Sequence, residues 1–266
     1  MTLDQYVTTA LPASTDAHSA FEGFLTLAAA DPHVLGVVLS GSQAREGMAK
    51  NESDYDAYVV LDENAPAELA GLDGFRSAYL DLSMMTMPQF RAHAHPDDAS
   101  SWDAYAFVGA KVVLDRTDGV IGRLAAEKAV LTEEHARRRV AAHLDAYTNF
   151  TYRSFKDHRD GRFLAARLDA AESIPHLLTT LFALHRRVRP YNKYLSWELE
   201  HRPLGQPCWS ANVLLPRLEH IRAEADPAAQ RAVFSQVERA ARSQGHGAML
   251  DAWGDDLHFL RAAPAG

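Results

Sequence analysis

Two short apolar runs, VLGVVLS (34–40) and DYDAYVVL (54–61), constrain this chain more than any other feature. Each is rich in β-branched residues and too brief for a helix, so each reads as a strand with buried neighbours. Gly41 and Ser42 close the first run, and eleven residues separate Ser42 from Asp54. The second run then opens on two aspartates, Asp54 and Asp56, where a strand built for stability alone would carry Val or Thr. Residues two apart on a strand share a side, so both carboxylates face one way.

Two anions that close repel unless a cation or a proton lies between them. Hard oxygen ligands on a rigid strand suit Mg²⁺, which takes one or two carboxylates and completes its shell with water and substrate phosphate. Gly41 lets the backbone approach a phosphate, and the amides and hydroxyl beyond it, at an expected helix start, offer donors. A phosphate cradle opposite a carboxylate pair is the equipment of phosphoryl or nucleotidyl transfer. The plain alternative is a polar strand end facing solvent after an ordinary Gly-Ser turn.

The pattern around this stretch predicts an α+β chain. A first helix runs to about Ala30, capped by Ser14 or Thr15. Strands are expected at 34–40, 54–61, 77–85 and 110–115, with a helix in APAELAGL (65–72) and a capping box at Thr86, Pro88 and Gln89. From Gly119 onward strand-like runs almost vanish. Helices are expected over 119–130, 133–159, 162–187 with a break at Pro175, 209–224, 227–243 and 247–261. The chain therefore divides near residue 130 into a mixed-sheet domain, 1–130, and a C-terminal helical bundle domain, 131–266.

The order strand, Gly-Ser, spacer, Asp-x-Asp, strand resembles the signature of the DNA polymerase β-like nucleotidyltransferase superfamily. Leu39, Gly41, Ser42, Asp54 and Asp56 carry the match, and GSQAR and SDYD look like forms common in its antibiotic-modifying and minimal branches. Glu46 departs from the pattern, standing before Gly47 where those branches place Gly directly after the Arg. AKVVLDRTDGVIGRLAAEKAVL, RSFKDHRDG and FALHRRVRPYNKYLSWEL are similar to segments of the kanamycin nucleotidyltransferase-like bacterial branch. The resemblance implies an N-terminal nucleotidyltransferase domain and a helical substrate domain, with ATP or another nucleoside triphosphate held between them. It places Gly41, Ser42 and Arg45 on the phosphates, with Lys156 of the helical half either joining them or standing as a surface lysine near a helix C-terminus, and Asp54, Asp56 and a third carboxylate on a two-metal Mg²⁺ site. Asp81, amid the apolar YLDLSM, is the choice over Asp73 and Asp115, as second-metal ligand, general base or both. It further implies transfer of a nucleoside monophosphate to a small hydroxylated acceptor, an aminoglycoside-like molecule being one candidate, with release of pyrophosphate. The alternatives are an antitoxin-like enzyme that modifies a protein, and a non-catalytic nucleotide binder.

The remaining features bound the reading. Tyr191, Asn192 and Lys193, with Trp197 and Glu198, form either the lining of an acceptor pocket or a joint between helices. Among 266 residues, 27 basic against 35 acidic give a net charge of −8, which argues against a broad nucleic-acid surface. Cys208 is the one cysteine, so neither an intrachain disulfide nor a cysteine zinc site is available. The stretch MTLDQYVTTALPAS lacks the basic start and apolar centre of a signal peptide, and no apolar run reaches bilayer length, so a cytoplasmic protein is expected. His93 and His95 are expected in a solvated loop, Arg153 and His158 on a solvated helix face, and Phe150, Tyr152, Phe155 and Phe163 in the core.

Overall fold

A computed structural model describes residues 16–63 and 71–261. The chain forms two compact units, Met1–Val130 and Leu131–Gly266. The first is a mixed sheet with helices and the second is helical, so the fold class is α+β. Among the described residues, no helix is long and apolar enough to cross a membrane.

In the first unit, helix α1 (Ala17–Ala30) starts at Asp16, whose carboxylate accepts from the Ser19 amide at 2.8 Å. The expected caps, Ser14 and Thr15, lie outside the described residues, as does most of the expected 65–72 helix. Strands β1 (Val34–Leu39), β2 (Tyr55–Leu61), β3 (Leu80–Thr86) and β4 (Lys111–Asp115) form one sheet in the order β3-β2-β1-β4. Strand β1 runs antiparallel to β2 and β4, while β2 and β3 are parallel.

Alternation sorts the sheet's two faces. Val37 and Leu39 of β1, Ala57, Val59 and Leu61 of β2, and Leu80, Leu82 and Met84 of β3 point into a core closed by Phe21, Phe24 and Ala28 of α1. The opposite face carries the intervening residues and is covered by α2 (Met87–Ala92), a 3₁₀ segment (Ser101–Phe107) and α3 (Val120–Lys128). Gly36 admits α3, because a Cβ there would lie 2.4 Å from Ile121 Cδ1 and 2.7 Å from the Leu114 carbonyl oxygen. Helix α2 begins on the expected capping box, with Thr86 and Gln89 bonding each other's backbone amides.

The second unit is built on two long helices, α4 (Glu133–Arg159) and α5 (Phe163–Leu184). Shorter helices α6 (Leu195–His201), α7 (Ala211–Glu224), α8 (Pro227–Ser243), α9 (Gly247–Asp251) and α10 (Asp255–Arg261) complete it. A buried knot ties three of them: Gln230 Nε2 of α8 donates to Ser154 Oγ of α4 at 3.0 Å, and Ser154 Oγ donates to the Ala166 carbonyl of α5 at 3.0 Å.

Outside the sheet, the structure corrects three expectations about the helices. Pro175 does not break α5, which continues through it; the Pro175 carbonyl accepts from Thr179 Oγ1 at 2.9 Å and from Arg189 at 3.2 Å. The expected 247–261 helix is two, parted at Gly254 (φ +53°), beside Trp253, whose indole N–H reaches Asp145 of α4 at 3.0 Å. Phe155 is buried as expected, but Phe163 is exposed.

Candidate active site

The polar stretch that joins β1 to β2 lies at one end of the sheet's strands, where β1 stops and the parallel pair β2 and β3 begins. Asp56 and Asp81 are direct partners in the β2–β3 register. Both lie on the face opposite the apolar core, and both are half-buried. Neighbouring strands run about 4.8 Å apart, which brings the two carboxylates within reach of a single ion. Asp54 stands one residue before β2, also half-buried.

Gly41 closes the arrangement from β1. Its φ is +64°, and a Cβ there would sit 1.8 Å from Asp56 Oδ2. The backbone therefore rests directly against the Asp56 carboxylate, an approach only glycine permits. The Ser40 amide donates to the Asp56 carbonyl at 2.8 Å and pins β1 to β2 at this level.

Beyond Gly41 the chain forms turns, not the expected helix start. The Arg45 amide donates to the Ser42 carbonyl at 3.1 Å and the Met48 amide to the Arg45 carbonyl at 3.2 Å, one turn after another. Gln43 Nε2 donates to the Ser53 carbonyl at 3.1 Å, and Ser53 Oγ accepts from the Lys50 amide at 2.9 Å, so the loop is braced up to Asp54. Ser42 is 2% exposed and lies inside this turn.

Arg45 departs from its expected place on the phosphates. It is 3% exposed, and its guanidinium donates to the carbonyls of Gly41 at 2.6 Å, Tyr105 at 2.9 Å and Val108 at 2.7 Å while lying over the Tyr105 ring. Its work is to clamp the Gly41 turn to the 3₁₀ segment. That segment is held in turn by Asp103, which accepts from Tyr58 Oη of β2 and pairs with His93 Nε2 at 2.8 Å. Tyr58 lies two residues beyond Asp56 on the same face, so the chain of contacts closes on the strand where it began. His93 is thus a packed residue, not the solvated one expected; His95 is exposed. Lys128 closes the cover, donating to the Arg91 carbonyl at 3.1 Å and lying over Phe90 and Phe107; burial pushes its ammonium down to about 8.

Arg76 is the site residue that sequence reasoning missed. It bridges to Asp81 through backbone pairing, and its Nε lies 3.1 Å from Asp81 Oδ2 with the Arg76 side chain 79% exposed. A cation five residues before an aspartate is no signal by itself; the turn before β3 creates the pair. The rivals of Asp81 have other employment. Asp73 accepts from the Met84 amide at 2.9 Å. Burial works to raise the Asp115 carboxyl, but hydrogen bonds from Thr117 and the Gly122 and Gly119 amides hold it below the usual range, as suits the turn before α3.

The other expected residues lie in the helical unit. Lys156 turns back over the Tyr152 ring at 5.2 Å on its own helix. Tyr191 leads into a short 3₁₀ turn, Asn192–Tyr194, anchored by buried Tyr194, with Asn192 and Lys193 exposed. Glu198, further along, is buried and bound by Arg187 and Arg202. Arg153 pairs with Asp169 of α5 at 3.3 Å, and His158 meets the Phe163 ring edge-on. A cavity of about 320 Å³ opens elsewhere in this unit, lined by Arg137, Val140, Ala183, Arg186, Gln244 and His246, none of them marked by the sequence.

No protein-family model matches the chain, and no curated protein does. Among solved structures it is similar to a nucleotidyltransferase-like protein from Exiguobacterium sibiricum 255-15, with 14% identity and a TM-score of 0.30 over 92% of this chain and 89% of that one. At that distance the likeness carries no argument. What the site can do is read from the strand ends themselves.

Proposed function

We propose that this chain is a Mg²⁺-dependent nucleotidyltransferase acting on ATP or another nucleoside triphosphate. The observation that supports it most is the pairing of Asp56 with Asp81 across β2 and β3, with Gly41 packed against the Asp56 carboxylate. Asp54, Asp56 and Asp81 fit a magnesium site: all three offer hard oxygen at one end of the parallel strand pair, and Arg76 already supplies a cation to one of them. When bound, the metal would neutralise charge on the triphosphate and on the leaving pyrophosphate.

The chain's own residues would do the rest. The Gly41–Ser42 turn would orient the phosphates through backbone donors, and Arg45 would hold that turn without touching substrate. Asp81 would take the proton of the acceptor hydroxyl as its oxygen forms a bond to the α-phosphorus and the bond to the β-phosphate oxygen breaks. The acceptor would be a small hydroxylated molecule. Mass spectrometry of an acceptor panel incubated with protein and mixed nucleoside triphosphates tests this: a gain of one nucleoside monophosphate supports it, and no gain, with or without protein acceptors, contradicts it.

The Arg76–Asp81 ion pair favours a second reading, a nucleotide-binding protein whose third carboxylate is taken up by a protein cation instead of a metal. An exposed pair of this kind contributes only about 0–1 kcal/mol and yields readily to a metal. Under the enzymatic reading Arg76→Ala tightens Mg²⁺ binding in calorimetry and preserves turnover; a structural pair predicts no change in Mg²⁺ affinity.

A further inference from the structure

Helices α4 and α5 meet at a cluster that the candidate active site does not use. His143 of α4 and His176 of α5 face each other Nδ1 to Nδ1 at 3.0 Å, so a single proton serves both nitrogens. Phe150 stacks on the His176 ring, with centroids 5.5 Å apart and planes 17° from parallel. Two arginines flank the pair. Arg139 lies one turn before His143 on the same face of α4. Arg189, beyond the end of α5, donates to the Pro175 carbonyl at 3.2 Å and to Asn192 Oδ1 at 3.0 Å, and its buried Nε has no partner.

Among the described residues neither arginine pairs with a carboxylate, and Arg139 makes no hydrogen bond. The acid acting on this group is Glu172, one turn before His176 on α5. Burial lowers the pKa of both arginines; it also pushes His143 down, aided by His176, Arg139 and Arg189, and His176 down, with Glu172 opposing and Arg189 aiding. Positive groups withdrawn from water without a counter-charge are costly, and the missing charge is what a ligand can bring.

We propose that Arg139, His143, His176 and Arg189 form a binding site for a small anion bearing a phosphate or carboxylate group. The Arg139 guanidinium, which makes no hydrogen bond, matches such an anion with a forked pair of charge-assisted donors, and Arg189 adds its positive charge and the N–H groups it does not give to Pro175 and Asn192. A bound anion also favours the imidazolium form, so binding draws a proton onto the histidine pair. Because Arg189 holds Asn192, the site adjoins the Tyr191–Lys193 turn, and its charge disfavours a polycation such as an aminoglycoside there. None of the sheet carboxylates takes part.

The test is histidine ¹⁵N NMR on the full chain in divalent-free buffer, titrated with inorganic phosphate and separately with citrate. The His143 and His176 nitrogens are expected to move toward imidazolium values in a saturable way. Arg139→Gln, which breaks no hydrogen bond, weakens that response about tenfold or more, and Arg139→Lys restores part of it. Response to phosphate alone or to citrate alone identifies the group recognised, and response to both makes the site a general anion receptor. No saturable shift with either, or equal affinity in Arg139→Gln, overturns the proposal. Asp54→Asn is expected to titrate like the natural chain, which keeps this result separate from any failure of nucleotidyl transfer.

Discussion

Gly41 is the position where the backbone leaves least room for change. Its φ of +64° lies in the left-handed region, and Asp56 Oδ2 occupies the space a side chain would need. Gly41→Ala incurs the left-handed backbone penalty and displaces the carboxylate, a combined cost of about 1–3 kcal/mol. Urea denaturation is expected to show that loss; unchanged stability would mean the turn moves away from Asp56 freely. Single residues were legible in the sequence where chemistry broke a pattern. Asp81 stood out because an acid amid apolar strand residues is costly without a partner. Arg76 did not stand out, since its pairing depends on how the turn before β3 folds back, which no local spacing records. Arg45 carried a misleading signal: an arginine beside a phosphate-like turn fits anion binding, yet its donors go to three backbone carbonyls.

The 3₁₀ segment is the element that organises the site without contributing a carboxylate to it. Asp103 fixes it to Tyr58 and His93, and its Tyr105 carbonyl, with that of Val108 just beyond it, fixes Arg45 and hence the Gly41 turn. Arg45→Met removes three charge-assisted hydrogen bonds and strands buried carbonyls, at a cost of about 3 kcal/mol or more. Thermal unfolding is expected to show a midpoint several degrees lower, with nucleotide affinity falling as well; lost affinity at full stability would return Arg45 to direct phosphate contact. Elements with strong local signals were legible. The β-branched strands and the Thr86–Gln89 capping box appear within a few residues of their expected places. Elements set by tertiary partners were not. Pro175 stays inside a helix, and Trp253 sits at a break that no glycine spacing alone announced.

Across the whole molecule, two separately compact units share one chain, dividing after Val130, one helix beyond the point near Gly119 where strand periodicity gives way to helical. Lys128 ties the first unit's stability to pH. Burial lowers its ammonium from 10.5 to about 8, so between those values the unfolded chain holds a proton that the folded chain has released. Stability from this group therefore rises with pH across that window and is least at neutral pH. Denaturation between pH 7 and 10 is expected to show a smaller rise for Lys128→Met than for the natural chain; equal slopes would mean the ammonium is solvated. Central to the proposed function is a divalent cation held jointly by Asp54, Asp56 and Asp81 at the start of the parallel strands β2 and β3. Its most direct test is Mn²⁺ electron paramagnetic resonance, with Mn²⁺ standing in for Mg²⁺ in the presence of ATP. Saturable Mn²⁺ binding is expected, weakened about tenfold or more in Asp56→Asn. Equal affinity in Asp56→Asn and the natural chain would contradict a shared cation site.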